Sequence, residues 1–243
     1  MKIIGCIPSR YASTRLPGKP LCDIAGKPMV LHVLERAKQA TQLHDIVVLT
    51  DDERILNTII DAGHQAIMTS PDCASGTDRI AEYMNLHSDA DIFINIQGDE
   101  VLLDPAHIDK LAENFVRQSD ARMGTLAHRI HDEESLADPN TVKVVTRLNG
   151  DALYFSRSCI PLRHNGQLPE QALAHIGIYI YTRETLQAIT QTPQTPLEKI
   201  ESLEQLRALE NGINIHVTVI DDFHSLSVDT PADLAKARAI FST

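Results

Sequence analysis

Three short apolar runs with helix-like stretches between them constrain the fold of this chain more than any other feature. They are KIIGCI (2–7), DIVVLT (45–50) and DIFINIQ (91–97), and near-continuous runs of this length read as buried strands. Between the first two, PMVLHVLERAKQA places Val30, Val33, Leu34 and Ala37 on one helical stripe, with Pro28 near the helix start, where proline is tolerated. DDERILNTIIDAG (51–63) opens on acidic residues suited to a helix N-terminus and closes on a glycine suited to its C-cap. DPAHIDKLAENFVRQ (104–118) repeats the pattern. The β-α-β-α-β order predicts an α/β fold: a mostly parallel sheet with helices on both faces.

The second half is less regular. TVKVVTRL (141–148), ALYFSR (152–157), HIGIYIYT (175–182) and INIHVTVI (213–220) are strand-like, and single helices are expected over 196–212 and 230–241. In the first of these, Ile200, Leu203, Leu206 and Leu209 give the expected buried stripe, with Glu201 and Gln205 together on another face. The polar segment 161–172, with its two prolines, reads as a mobile loop. The expectation is a single domain over 1–243 with an inserted sheet-rich lobe at about 125–190.

Charge narrows the partner. The 243 residues carry 22 Lys+Arg against 33 Asp+Glu, a formal charge of −11, whereas a nucleic-acid binder shows a basic excess. Against that background IPSRYASTRLPGKPL (7–21) concentrates Arg10, Arg15 and Lys19 just after the first strand. An acidic protein with one basic loop suits a single small anion. Gly18-Lys19 and Gly26-Lys27 are each followed by proline, so neither is a Walker sequence, and no G-x-G-x-x-G occurs. No apolar run reaches the roughly 18 residues of a membrane span. The N-terminus reads as a first strand rather than a leader, and the four scattered cysteines read as reduced thiols of a cytoplasmic protein.

Four other stretches bear on chemistry. In INIQGDE, Asp99 follows a strand and a glycine, and reads either as a turn aspartate or as a Mg²⁺ ligand beside a triphosphate. In SVDTPADL, Thr230, Pro231 and Asp233 make a capped helix start, which leaves Asp229 unexplained. Ser75 and Gly76, ahead of Thr77-Asp78-Arg79, begin a helix whose free N–H groups suit an anion or a flat base. His175 reads either as a core histidine or as a ligand contact. No Ser/His/Asp or Cys/His nucleophile set stands out.

In order along the chain, PSRYASTRLPGKPL, TDDERI, SGTDR, QGDE, VKVV, ALYFSR, HIGIY, PLEKIESLEQLR and VDTPADL resemble the motifs of the 3-deoxy-manno-octulosonate (Kdo) cytidylyltransferases, enzymes of bacterial lipopolysaccharide biosynthesis. The resemblance runs from Ile3 to about Arg238. It implies a three-layer nucleotidyltransferase-like (nucleotide-diphospho-sugar transferase) fold and a cytoplasmic homodimer using CTP, a sugar acid and Mg²⁺, with no nucleic acid and no membrane span. Carried onto matching positions, it implies that Arg10, Arg15 and Lys19 serve the CTP phosphates or, for Arg15, brace the loop. Ser75 and Gly76 would lie at the cytosine, and Asp99 and Asp229 would hold Mg²⁺. Gln97 would touch nucleotide and sugar, while Arg79, His175, Tyr179, Glu204 and Gln205 would line the sugar-acid pocket. Arg10, Lys19, Asp99 and Asp229 form the implied catalytic set. The sugar's anomeric hydroxyl would attack the α-phosphate and release pyrophosphate, a reaction that needs alignment and charge neutralisation more than a covalent nucleophile. Alternatives are the same reaction on 8-amino-Kdo or another sugar acid, and a nucleotide-binding regulator without turnover. Val101 and Ser227 depart from the family's usual proline and glycine.

Overall fold

β1 (Ile3–Ser9) is followed by a single 3₁₀ turn (Lys19–Leu21), the short strands β2 (Asp23–Ile24) and β3 (Lys27–Pro28), α1 (Met29–Ala37) and β4 (Asp45–Thr50). Next come α2 (Glu53–Asp61), β5 (Ala66–Met68), α3 (Gly76–His87), β6 (Ile92–Asn95), α4 (Pro105–Arg117) and β7 (Met123–Arg129). α5 (Glu133–Ala137), β8 (Lys143–Thr146), β9 (Ala152–Ser156), β10 (Leu173–Thr182) and α6 (Arg183–Gln191) follow, then α7 (Pro196–Glu201), α8 (Gln205–Glu210), β11 (Ile215–Ile220) and α9 (Pro231–Phe241). The computed structural model describes residues 1–13, 15–118, 120–162, 169 and 172–242. Most of the loop expected over 161–172 lies outside them. The chain divides into two units, Met1–Asp109 with His224–Thr243, and Lys110–Phe223.

In the first unit the strands run β6-β1-β4-β5, all parallel. Ile3, Ile4, Cys6 and Ile7 of β1 are all buried. Since neighbouring side chains of a strand point to opposite faces, both faces of this strand are covered. The stripe expected on α1 is real, with Val30, Val33, Leu34 and Ala37 fully buried. Asp52 caps α2 by accepting from the Arg54 amide, and Gly63 beyond its end takes the left-handed conformation, φ 78°. α9 begins with the expected capping box of Thr230 and Asp233.

In the second unit β11 runs parallel to β7, which pairs antiparallel with β10; β10 and β9 both pair antiparallel with β8. The sequence reading passed over β5, β7 and α6. β7 shows no alternation to find, because its first five residues are all buried. The register of β10 shifts between Ile176 and Tyr179. There the buried Thr125 hydroxyl lies 3.1 and 2.8 Å from the Ile176 and Ile178 carbonyls, serving groups that the ladder leaves over.

The helix expected over 196–212 is two helices. Ser202 adopts a left-handed conformation, φ 52°, and the Leu203 amide donates back to the Glu198 carbonyl at 3.1 Å, a helix-ending arrangement. The break ends the common stripe: Leu206 is fully buried but Ile200 is 78% exposed. Glu201 and Gln205 therefore do not share one helical face. What holds α7 to α8 is a buried ion pair, with Arg207 Nε donating to Glu198 Oε2 at 2.8 Å and Nη2 to Oε1.

Candidate active site

The basic loop is pinned before it reaches Lys19. The Tyr11 amide donates to Asp51 Oδ1 at 3.4 Å, and the Arg54 guanidinium lies 3.5 Å over the Tyr11 ring, a cation–π contact. Gly18 returns its N–H to the Tyr11 carbonyl at 3.2 Å with φ 66°. A Cβ there would lie 3.0 Å from the Tyr11 hydroxyl, so both backbone angle and space require glycine. Lys19 then starts the 3₁₀ turn. Arg10 is exposed at the carboxyl end of β1, where open α/β sheets place ligands, and has no ion pair among the described residues.

Lys19 is the centre of the cluster. Its Nζ donates to Asp99 Oδ2 at 2.6 Å and to Asp229 Oδ1 at 2.8 Å, and Arg15 Nη2 lies 3.1 Å from the same Asp229 oxygen. Burial alone would lower the Lys19 ammonium, but the Asp99 charge and the hydrogen bonds of both carboxylates outweigh it and hold its pKa above the ordinary 10.5. A backbone strap brings the two carboxylates together. The Val228 amide donates to the Asp99 carbonyl at 3.1 Å, and Glu100 and Ser227 form an antiparallel bridge. Gly98 lets the turn carrying Asp99 pack on the end of β1, since a Cβ there would meet Ser9 Oγ at 3.0 Å and the Pro8 carbonyl at 3.2 Å. The two departures from family pattern fall on this strap. Val101, fully buried, has an N–H that proline would lack and donates it to the Asp99 carbonyl at 3.1 Å. Ser227 lies opposite Glu100, whose carboxyl is pushed up from the ordinary range by burial.

Ser75 and Gly76 lie at the start of α3. The Ser75 hydroxyl is shared with Asp78 in a capping box, and a Cβ on Gly76 would come 3.3 Å from the Pro8 ring. Arg79 is buried: Nη2 donates to Asp51 Oδ2 at 2.9 Å and Nη1 to the Ser70 carbonyl at 3.4 Å, and Nη1 also donates to the Thr69 hydroxyl. It braces α3 against the end of β4, through the same Asp51 that pins Tyr11. Gln97 is half-buried in the turn below Asp99. The sequence reading missed Asn95, buried at the end of β6. Its Oδ1 meets no hydrogen-bond partner among the described residues, and its Nδ2 lies 4.0 Å from the point where a Gly76 Cβ would stand.

In the second unit His175 and Tyr179 flank the register shift of β10, rings 5.3 Å apart, with Phe155 edge-on to His175 at 5.1 Å. His175 Nε2 lies 3.0 Å from the Thr125 hydroxyl. Burial drives its pKa down to about 3, and burial likewise raises the Tyr179 phenol well above 10. Glu204 is half-buried just before α8, and Gln205 is buried with Nε2 lacking a partner among the described residues. Glu201 was not singled out as a site residue, yet it accepts from the Ser156 hydroxyl at 2.6 Å and the Arg157 amide at 2.9 Å. Lys143 is fully buried and donates to the carbonyls of Asp138, Thr141 and Arg157 at 2.8, 2.6 and 2.8 Å.

The His175 shift has a sign. The unfolded chain protonates this histidine near pH 6.5, whereas the folded chain does so only near 3. The stability it confers is complete above pH 6.5 and is lost as pH falls from there toward 3. Its ring resonances are expected to stay flat from pH 8 to about 4.5, and an inflection near 6.5 in the folded protein would contradict this burial.

A parallel sheet, a non-Walker basic loop and two carboxylates beyond the strand ends mark a nucleotidyltransferase-type α/β enzyme. The cytidylyltransferase family model matches residues 4–215. The chain is 48% identical over 240 residues to the 3-deoxy-manno-octulosonate cytidylyltransferase of Solibacter usitatus, covering 99% of this chain and 94% of that one. It is 50% identical over 248 residues to the Trichlorobacter lovleyi protein of the same name, covering 98% of each. Among solved structures, a CMP:2-keto-3-deoxy-manno-octonic acid synthetase complexed with CTP superposes with a TM-score of 0.94 at 45% identity, covering 100% of this chain and 99% of that one. A glucose-1-phosphate thymidylyltransferase from Bacillus anthracis shares the fold, with a TM-score of 0.68 at 18% identity over 98% and 95% of the two chains. The chain belongs to the cytidylyltransferase family. Among the described residues no helix is long and apolar enough to cross a membrane.

Proposed function

We propose that this chain transfers the cytidylyl group of CTP to the anomeric hydroxyl of 3-deoxy-manno-octulosonate, giving CMP-Kdo and pyrophosphate. The observation that carries this reading is the convergence of Asp99 and Asp229 on one cation beside the basic loop. It occurs in a chain that follows a CTP-complexed CMP-Kdo synthetase over its whole length. Arg10 and Lys19 donate to the triphosphate, with Arg15 assisting from the loop's exposed rim. Ser75 and Gly76 present the start of α3 to the cytosine. Arg79 acts through Asp51 as a positioning residue. Gln97 serves the nucleotide on the first unit, and on the second unit His175, Tyr179, Glu204 and Gln205 are the residues for the sugar acid. The neutral His175 ring and the un-ionised Tyr179 hydroxyl offer hydrogen bonds to sugar hydroxyls without adding charge.

The donor set fits magnesium. Two carboxylate oxygens already converge on one ammonium, and Mg²⁺ is usually held by one or two carboxylates together with substrate phosphates and water. Among the described residues no cluster of three or more His, Cys, Asp or Glu side chains could hold a metal ion; Asp99 and Asp229 would hold it together with the substrate's phosphates. Bound there, Mg²⁺ supplies charge neutralisation at the triphosphate and polarises the α-phosphate. The whole chain works as one cytidylyltransferase domain, its 125–190 segment contributing to acceptor binding. Family resemblance supports a cytoplasmic homodimer, which sedimentation at working concentrations checks.

Pyrophosphate release from CTP and Mg²⁺ tests the reaction. Release with Kdo, accompanied by CMP-Kdo, is expected; release only with 8-amino-Kdo would move the acceptor, and CTP binding without release on any acid would leave a regulator. Lys19→Ala should raise the apparent KM for CTP by about 10- to 100-fold, the equivalent of losing one charge-assisted hydrogen bond. An unaltered CTP titration would remove Lys19 from the phosphate site.

A further inference from the structure

Lys19 occupies a position that a phosphate-binding lysine does not require. It sits between the two carboxylates assigned to the metal, with one N–H on Asp99 Oδ2 at 2.6 Å and another on Asp229 Oδ1 at 2.8 Å. We infer that Lys19 is the resident counter-ion of this carboxylate pair, holding Asp99 and Asp229 together and barring a free divalent cation until a polyphosphate draws the lysine away. This deepens the proposed reading of the site and rests on it.

Three observations carry the inference. First, the two aspartates are fixed close together by backbone, through the Val228–Asp99 hydrogen bond and the Glu100–Ser227 bridge. Two like charges held near each other need a cation between them. Second, the lysine side chain is only 16% exposed and Asp99 20%, so water screens the cluster poorly and the attraction is stronger than at an open surface. Third, the lysine is reachable by the chemistry that would compete for it. It lies on the loop with Arg10 and Arg15, and Arg15 makes a second, weaker contact to Asp229 at 3.1 Å while itself 64% exposed.

A divalent cation would use the oxygen electron pairs that the ammonium now holds, and the two cations would repel each other. Free metal would therefore displace Lys19 from both carboxylates with no polyphosphate present to receive it. A triphosphate supplies that anion, so metal and nucleotide bind with positive coupling and each raises the other's affinity by the same factor. Arg15 alone does not replace the barrier, because it touches only Asp229 and from the exposed side.

The test uses the full chain and Mn²⁺ alone, with uptake read from loss of the free-ion electron paramagnetic resonance signal. Wild type should take up no stoichiometric Mn²⁺ over a range where Lys19→Met and Lys19→Gln each bind one ion, an affinity gain of about tenfold or more, within the usual range of coupling between sites. Adding Asp99→Asn to either variant should abolish the gain. Equal uptake by wild type and both variants, or a gain that survives Asp99→Asn, overturns the inference. Stoichiometric Mn²⁺ uptake by wild type in the absence of nucleotide overturns it whatever the variants do, including if they fail to fold. Lost transfer to Kdo with metal exclusion intact would instead sink the substrate reading.

Discussion

Asp99→Asn lowers kcat for CMP-Kdo formation by about 10²–10³-fold, the order of effect when one contributor to transition-state charge stabilisation is lost, here a carboxylate proposed to hold Mg²⁺, and leaves the fold in place. The exchange keeps the side chain's volume and takes away one negative charge. The turn that carries it is held by backbone contacts, those of Val101 and Val228 to the residue 99 carbonyl, which the exchange does not touch. Lys19 keeps its bond to Asp229. The magnesium requirement should rise together with the fall in kcat, because the carboxylate assigned to the metal is halved in number. Circular dichroism and a Mg²⁺ titration of turnover check both parts; near-wild-type turnover at unchanged Mg²⁺ dependence would remove Asp99 from the mechanism.

The largest stability effect is expected within the second unit, at Glu198 and Arg207. Both are buried, and the guanidinium also reaches the Ile189 carbonyl at 3.3 Å, so α6, α7 and α8 share one charged centre. Replacing either residue with alanine strands the other charge and should cost about 3–5 kcal/mol, whereas a double exchange for apolar residues of similar volume should recover much of it. Urea unfolding at neutral pH measures both. Burial by itself would raise the Glu198 carboxyl, but the Arg207 hydrogen bonds outweigh it and hold it below the ordinary 4.5. The pair's contribution is therefore complete above pH 4.5 and disappears as pH falls through the lower folded value. Wild type should lose stability in that acid range more steeply than the apolar double variant, and parallel profiles would contradict the assignment.

Those two sites differ in how far the sequence exposes them. The three apolar runs, the α1 stripe and the Thr230–Asp233 cap are local patterns whose period or spacing carries its own physical reason. They reappear in the structure nearly where the pattern puts them. The break at Ser202 has no such signal, because left-handed turns are commonly marked by glycine or asparagine and here a serine takes the angle. With the break unseen, nothing sets Glu198 and Arg207 apart from the other polar residues of one long helix. β7 lacked alternation because it is buried on both sides, and a short apolar run of that kind is easily passed over.

The cluster around Lys19 shows a similar division. Its cations announce themselves by density in an acidic chain, and Asp99 by its place after a strand. Asp229 is different, since capping chemistry explains its neighbours and leaves it idle until Val228 is seen bonded to Asp99. Asn95, whose buried Oδ1 meets no partner among the described residues, sits in otherwise ordinary strand sequence, and only coordinates bring it forward. Gln205 is marked by the family motif, independently of its buried Nε2.

The strap from Glu100 to Ser227 also sets a schedule for biosynthesis. Lys19 bonds to a carboxylate 210 positions further along the chain. A chain emerging from the ribosome at roughly 5–20 residues per second would have its basic loop and first strands outside long before that partner exists. The nascent protein thus holds the basic loop without its second carboxylate until synthesis has run 210 residues past Lys19. The pair closes only once Asp229 has been made, so the charge cluster begun at Lys19 is completed by a residue far along the chain.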